Sequence, residues 1–373
     1  MTTFYLKPTK FYDGEVSRHN VVVEIKDGKV EAVIDVKSFS GGAVEVNGTL
    51  APGFIDLQVN GGGGVLFNAS PSLEGIRTIL TAHAEYGSTA ILPTLITDNI
   101  DVMRNAADAI AEAIANNEPG ILGVHFEGPH LSVAKKGAHS QEFIRSISSE
   151  EWEILSRKDL GQIYVTLAPE NVPVDDIKRM VSLGIKVSLG HTNADYQTTQ
   201  AAIDAGADSF THLFNAMSPL QGREPGVVGT ALLNDSAICG LILDGLHVDY
   251  ASCKLALKAK PKGKLVLVTD AMPPVGSDQT EFDFFDRKVY REGDKLTSTT
   301  GELAGSALEM SVAVKNAQVH LGLSLEESIN MASLYPAQYL NQKLRGNLFV
   351  GSHADMIVID ENGEVTTTWI AGK

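Results

Sequence analysis

The chain has 373 residues, 43% of them apolar, and a formal charge of −16. That length predicts one large core plus a small one, and the acidic balance argues against nucleic acid, whose phosphates are bound by clustered Lys and Arg. No stretch approaches the roughly 20 apolar residues of a membrane span, so no membrane partner is expected.

In chain order, the first 50 residues read as short strands separated by Gly and Asp turns such as Asp27-Gly28. The opening MTTFYLKPTKFYDGE lacks the basic-then-apolar layout of a secretion signal. Cys239 and Cys253 sit in apolar runs without metal-type spacing, so core thiols in a cytoplasmic protein are expected.

After residue 51 the pattern becomes short apolar runs alternating with amphipathic stretches, the signature of βα units around a parallel sheet. Eight strands are predicted: Gly53 to Gln58, Ser88 to Pro93, Ile121 to Glu127, Ile163 to Leu167, Ile185 to Gly190, Ser209 to His212, Ile238 to Leu243 and Leu265 to Thr269. Eight is the number of a (β/α)₈ TIM-type barrel.

A helix is predicted over Asp101 to Asn116, and Gly87, Gly184 and Gly206 fall where helices end before strands. Gly61 to Gly64 reads as a mobile turn after strand one. Pro219 to Gly229 is too rich in Pro and Gly for a helix until Val228 to Asn234. EFDFFDRKVYREGDKL reads as an inserted hairpin before a helix at Ser306 to His320. The last 30 residues return to strand character around the turn at Glu361-Asn362-Gly363. Residues 1–51 and 344–373 are therefore expected to share a small β-sandwich domain, with 52–343 forming the barrel.

Glu127, His191, His212 and Asp270 each follow a predicted strand, where (β/α)₈ enzymes collect their catalytic groups. Tens of residues separate them, so only the fold could bring them together. Two imidazoles and one carboxylate with an open fourth position make a catalytic zinc set, which renders water acidic enough to attack at neutral pH. Iron, manganese or cobalt could fill the same site. Asp270 is then the expected proton carrier, base first and acid afterwards.

Strand one carries Gln58 and Asn60 at i and i+2, on one strand face. Amides are poor zinc ligands beside imidazole. Arg223, in the Gly-rich PLQGREPG loop, and His247 suit a phosphate dianion. They are the local cations that an acidic protein needs for a small anionic substrate. His19, His83, His125, His320 and His353 read as structural, and His130 is open between the two readings.

PGFIDLQVNG, LPTLIT, GVHFEGPHLSVAKKGAH, SLGHTNA, THLFNAM, ILDGLHVD, LVTDAM and ELAGSAL, with the ending SLYPAQYL and GSHADMIVID, resemble the N-acetylglucosamine-6-phosphate deacetylases of the amidohydrolase superfamily. The resemblance spans almost the whole chain. It implies release of acetate from an N-acetylated amino-sugar phosphate, with Glu127, His191 and His212 as metal ligands and Asp270 as acid and base. It implies that His139 meets the scissile carbonyl and that Ala138 beside it touches sugar. Asn215 and Ala216 match sugar or phosphate contacts, Arg223 and His247 phosphate contacts, and Leu303, Ala304 and Gly305 the acetyl end. It also implies a homodimer in which Arg223 and His247 lie near the neighbouring subunit's site. Many amidohydrolases carry two histidines where this chain has Gln58 and Asn60, so the resemblance implies one divalent metal per subunit, with Gln58 contacting water beside it. Two other readings stay open at this stage: an amidohydrolase acting on a cyclic amide or N-acetyl amino acid, and a sugar-phosphate binder without turnover.

Overall fold

In the computed structural model, residues 2–285 and 287–373 are described. Eight parallel strands form one sheet in sequence order: Phe54–Val59, Ser88–Ile96, Gly123–Glu127, Gln162–Leu167, Lys186–Leu189, Ser209–Phe210, Ile238–Leu241 and Leu265–Leu267. All eight predicted strands are there, the sixth being the shortest. The last meets the first just beyond the strand ends. Asp270 N donates to Gln58 O at 2.9 Å, Asn60 N donates to Ala271 O at 2.9 Å, and Val59 bridges Ala271.

Below that seam lies a buried carboxylate, Asp56. It accepts from Thr269 Oγ1 at 2.5 Å, Gln58 N at 3.1 Å and Thr269 N at 3.3 Å. Burial is the main cause that pushes its carboxyl up to about 7, against the hydrogen bonds it accepts.

Helices connect successive strands, each started by local chemistry. Ile100–Ala115 begins at Asn99, whose side chain accepts from Val102 N, and it buries Met103, Ala106, Ile110 and Ala113 against the barrel. Ser149–Leu155 opens with a reciprocal capping box between Ser148 and Glu151. Gly87, Gly184 and Gly206 take φ of 90°, 84° and 108°, the left-handed turn expected where helix gives way to strand. Two further helices, Leu325–Ala332 and Leu334–Tyr339, pack against the first and last barrel strands and cover the seam from outside. No helix among the described residues is long and apolar enough to cross a membrane.

The chain ends do meet. Val44–Pro52 pairs antiparallel with Met356–Ile359 and parallel with Thr3–Tyr12, joining both termini in one seven-stranded sheet. This sheet encloses its own core, with Phe11, Ile25, Leu50 and Met356 fully buried. The inserted segment is a three-stranded sheet, Glu281–Phe284, Arg287–Glu292 and Lys295–Ser298; Asp286 lies outside the described residues. The helix after it spans Met310–Leu321, shorter at its start than expected because Ser306 pairs with Ala271 beside the eighth strand instead.

The turn expected after strand one is present at Gly63 and Gly64, and a tight ladder leads into it. Gly61 and Gly62 are buried and pair with Leu66 and Val65. A Cβ on Gly61 would lie 2.4 Å from Val65 O, so the tight ladder requires glycine there.

Candidate active site

Glu127 ends the third strand, and His191, His212 and Asp270 follow the fifth, sixth and eighth. His191, His212 and Asp270 adopt φ of 47°, 33° and 54°. A left-handed backbone costs a residue with a Cβ about 1 kcal/mol or more, so three of these four positions are held in conformations that local preference opposes. Gly190 lets the chain reach this bend: a Cβ there would sit 2.9 Å from both Thr166 Cγ2 and Thr211 Cβ.

The side chains converge. His191 Nε2 and His212 Nε2 stand 3.2 and 3.1 Å from Glu127 Oε1 and 3.0 Å from each other. His191 Nδ1 donates to Lys135 O at 2.9 Å, which leaves the Nε2 lone pair facing Glu127. Three buried donor atoms crowded around one point suit a divalent cation better than they suit one another. Glu127, His139 and His191 also place one ligand atom each within 4.8 Å of one another, so His139 stands beside the same point.

Burial works against the Glu127 charge, yet the neighbouring imidazoles of His191 and His212 hold its carboxyl well below the usual range. Asp270 goes the other way. Burial first, and the Glu127 charge second, push it up to about 6, close to where a group must sit to accept and return a proton near neutrality. Gln58 Nε2 donates to Glu127 Oε1 at 3.1 Å and to Asp270 Oδ1 at 3.0 Å, and Asn60 Nδ2 donates to the same Asp270 oxygen at 2.6 Å. Gln58 thus lies beneath the pocket, tying strand one to the site. The Asn60 contribution was not read from sequence, although the i, i+2 placement carried the signal.

His139 is buried, which lowers its imidazole to about 3 and keeps it neutral. The Thr97 hydroxyl, unremarked in the sequence, donates to Glu127 O at 3.2 Å and pairs with His139 Nδ1 at 2.8 Å. Because the carbonyl can only accept, the Thr97 proton goes there, and neutral His139 donates to Thr97 from Nδ1 and keeps its lone pair on Nε2.

The cavity above these groups has a volume near 370 Å³. Ala138, Asn215, Ala216, His247, Leu303 and Gly305 line it, as does Asn60. Ala304 is fully buried behind its neighbours. His247, expected near a neighbouring subunit's site, lines the pocket of its own chain. Its Nδ1 donates to Asp244 Oδ2 at 2.6 Å, which fixes the ring. Arg223 does not reach this pocket: it is exposed and has no hydrogen-bond or ion-pair partner among the described residues. Lys135 and Glu302, both missed in the sequence, also line the cavity.

The remaining histidines are structural. His125 sits between Thr94 and Thr166, His83 contacts Gly61 O, and His130 contacts Arg145 O, so His130 falls on the structural side.

An eight-stranded parallel barrel with a buried carboxylate and paired imidazoles at its C-terminal mouth fits a barrel hydrolase, and the cluster fits a divalent metal. The amidohydrolase family profile matches residues 49–373, and the chain belongs to that family. An N-acetylgalactosamine-6-phosphate deacetylase from Shewanella sp. (strain ANA-3) is 52% identical over 88% of this chain and 83% of its own length. An N-acetylglucosamine-6-phosphate deacetylase from Haemophilus influenzae is 36% identical over 92% of each. The crystal structure of an N-acetylglucosamine-6-phosphate deacetylase from Pasteurella multocida superposes with a TM-score of 0.95 at 36% identity, covering 100% of this chain and 99% of that one.

Proposed function

We propose that the protein hydrolyses N-acetyl-D-glucosamine 6-phosphate to D-glucosamine 6-phosphate and acetate, a step of amino-sugar catabolism in the cytoplasm. The observation that carries this reading is the convergence of Glu127, His191, His212 and Asp270 at one barrel mouth. Held by the first three, a divalent cation, in our reading one Zn²⁺ per subunit, would supply acidified water and a polarised carbonyl.

The chain's own residues do the rest. With Asp270 Oδ1 occupied by Gln58 and Asn60, Oδ2 takes the proton as water oxygen bonds to the acetamide carbon. His139, held at Nδ1 by Thr97, meets the scissile carbonyl and fixes its position as the water attacks. Asp270 then returns the proton to nitrogen, the C–N bond breaks, and acetate and the amine leave. Asn215 and Ala216 bound the sugar, and His247, braced by Asp244, meets the phosphate.

We also propose a homodimer. The support is Arg223, a phosphate-binding residue type left exposed on a loop with Leu220, itself 57% exposed. A second copy would bring that arginine to the partner's phosphate.

A second substrate has its own support: the relative at 52% identity is named for the galactosamine epimer. The test is acetate release from both N-acetylated sugar phosphates and from unphosphorylated N-acetylglucosamine, with metal content measured on the same sample. Release from N-acetylglucosamine 6-phosphate above both others supports the first reading, and preference for the galactosamine epimer supports the second. Equal turnover without phosphate, or no acetate at all, overturns both.

A further inference from the structure

One wall of the cavity differs from the rest. Ile96, Met272 and Phe284 line it and belong to a separate apolar cluster that also contains Leu66, Phe282, Val289, Leu296, Ala304 and Ala307. Alternation in Glu281–Phe284 turns Phe282 and Phe284 inward and leaves Glu281 and Asp283 exposed, so the insert docks on the barrel through its apolar face. Phe284 is therefore a piece of the insert fixed in the active-site wall, 3% exposed.

Met272 comes from the barrel side, two residues after Asp270, and is 1% exposed. It is held closely: a Cβ on Gly305 would lie 2.4 Å from Met272 Cγ. Polar groups, Asn215 and His247 among them, line other parts of the cavity. An amide substrate whose carbonyl sits between His139 and Asp270 and whose sugar lies toward Asn215 and His247 must turn its acyl carbon chain toward this apolar wall.

We propose that Met272 and Phe284 act as a gauge of acyl length, admitting the methyl of an acetyl group and excluding longer chains. This rests on the deacetylase reading above. Neither side chain yields readily, because each is packed from behind, Phe284 by the insert's own core and Met272 by Gly305. One methylene too many in such a pocket is worth about 10- to 200-fold in kcat/KM.

The test compares N-acetyl, N-propionyl and N-butyryl hexosamine 6-phosphates on the wild type, Phe284→Leu and Met272→Ala, each with metal content and melting curve recorded. We expect the wild type to fall about tenfold or more for each added methylene. Either variant should raise the propionyl-to-acetyl ratio of kcat/KM at least tenfold. The two substitutions lie on different elements, so a folding failure in one leaves the other to give the answer. Wild type that processes butyryl as well as acetyl, or folded variants whose ratio stays within twofold, overturns the gauge while leaving deacetylation standing. Wild type with no amidase activity on any of the three removes the deacetylase reading and the gauge with it.

Discussion

Glu127, His191 and His212 lie buried and Asp270 half-buried, bonded to one another or to Gln58 and Asn60, whereas Arg223 stands exposed with no partner among the described residues. The first group is cross-linked between strands far apart in sequence and is complete within one chain. The second is a single side chain on a Pro- and Gly-rich loop. Rate and affinity are therefore expected to depend on separate places: substitutions at the buried end should act on kcat, and those at the exposed end on KM.

The harshest test of that division is removal of metal. A chelator is expected to abolish acetate release, and added Zn²⁺ to restore it; undiminished turnover in metal-free protein would break the assignment of Glu127, His191 and His212. Next comes Asp270→Asn, which keeps its hydrogen-bonding size but cannot accept the proton. Turnover should fall about 10²- to 10⁴-fold with metal retained. Near-wild-type kcat would move the proton carrier elsewhere.

The buried end also has a pH signature in its stability. Asp56 titrates at about 7 in the folded chain against an ordinary value of 3.8. Its neutral form therefore contributes stability that is fully present below the lower value and is lost as pH rises through the upper one. The loss is at most about 4 kcal/mol between those limits. Asp56→Asn can keep the geometry, its amide donating to Thr269 Oγ1 while Oδ1 still accepts from Gln58 N and Thr269 N. In urea melts of metal-free protein, the variant should gain on the wild type from pH 4 to 7 and not beyond. A constant difference across that range would refute the buried titration.

Much of this was legible in the sequence because it depends on local patterning. Eight apolar runs fixed the strands, and a charged residue after a strand is conspicuous where apolar residues are the rule. What escaped depends on contacts between distant segments. The tautomer of His191 is set by a backbone carbonyl, Lys135 O, which no side-chain motif encodes. The alternation of Phe282 and Phe284 was visible as a strand, but its docking on Met272 and Ile96 was not. Asp244 is the exception, since Asp-x-x-His before a helix is a readable local bracket and was passed over.

At the exposed end, Arg223→Ala is expected to raise KM about tenfold or more with kcat little changed, as the loss of one charge-assisted phosphate contact would do. Mixing it with Asp270→Asn sharpens the comparison. Heterodimers in which one chain supplies Arg223 to the other's intact Asp270 should recover high-affinity turnover that neither parent shows. No recovery after verified subunit exchange would place the arginine's action within its own chain.

Asp244→Asn, the mildest change, separates charge from shape. The carboxylate accepts from His247 Nδ1 at 2.6 Å and from the backbone N–H of Leu246 and His247 at 2.8 Å each. Asparagine can keep the two backbone bonds through Oδ1, so the turn survives. Its amide nitrogen, however, cannot accept from His247 Nδ1 as the carboxylate oxygen does, so the ring loses that brace. Where the brace aims His247 at the phosphate, KM for the sugar phosphate should rise about tenfold or less and that for the unphosphorylated sugar should stay put. Equal losses on both substrates would instead make Asp244 and His247 part of the sugar floor, and would leave Arg223 as the phosphate's principal cation.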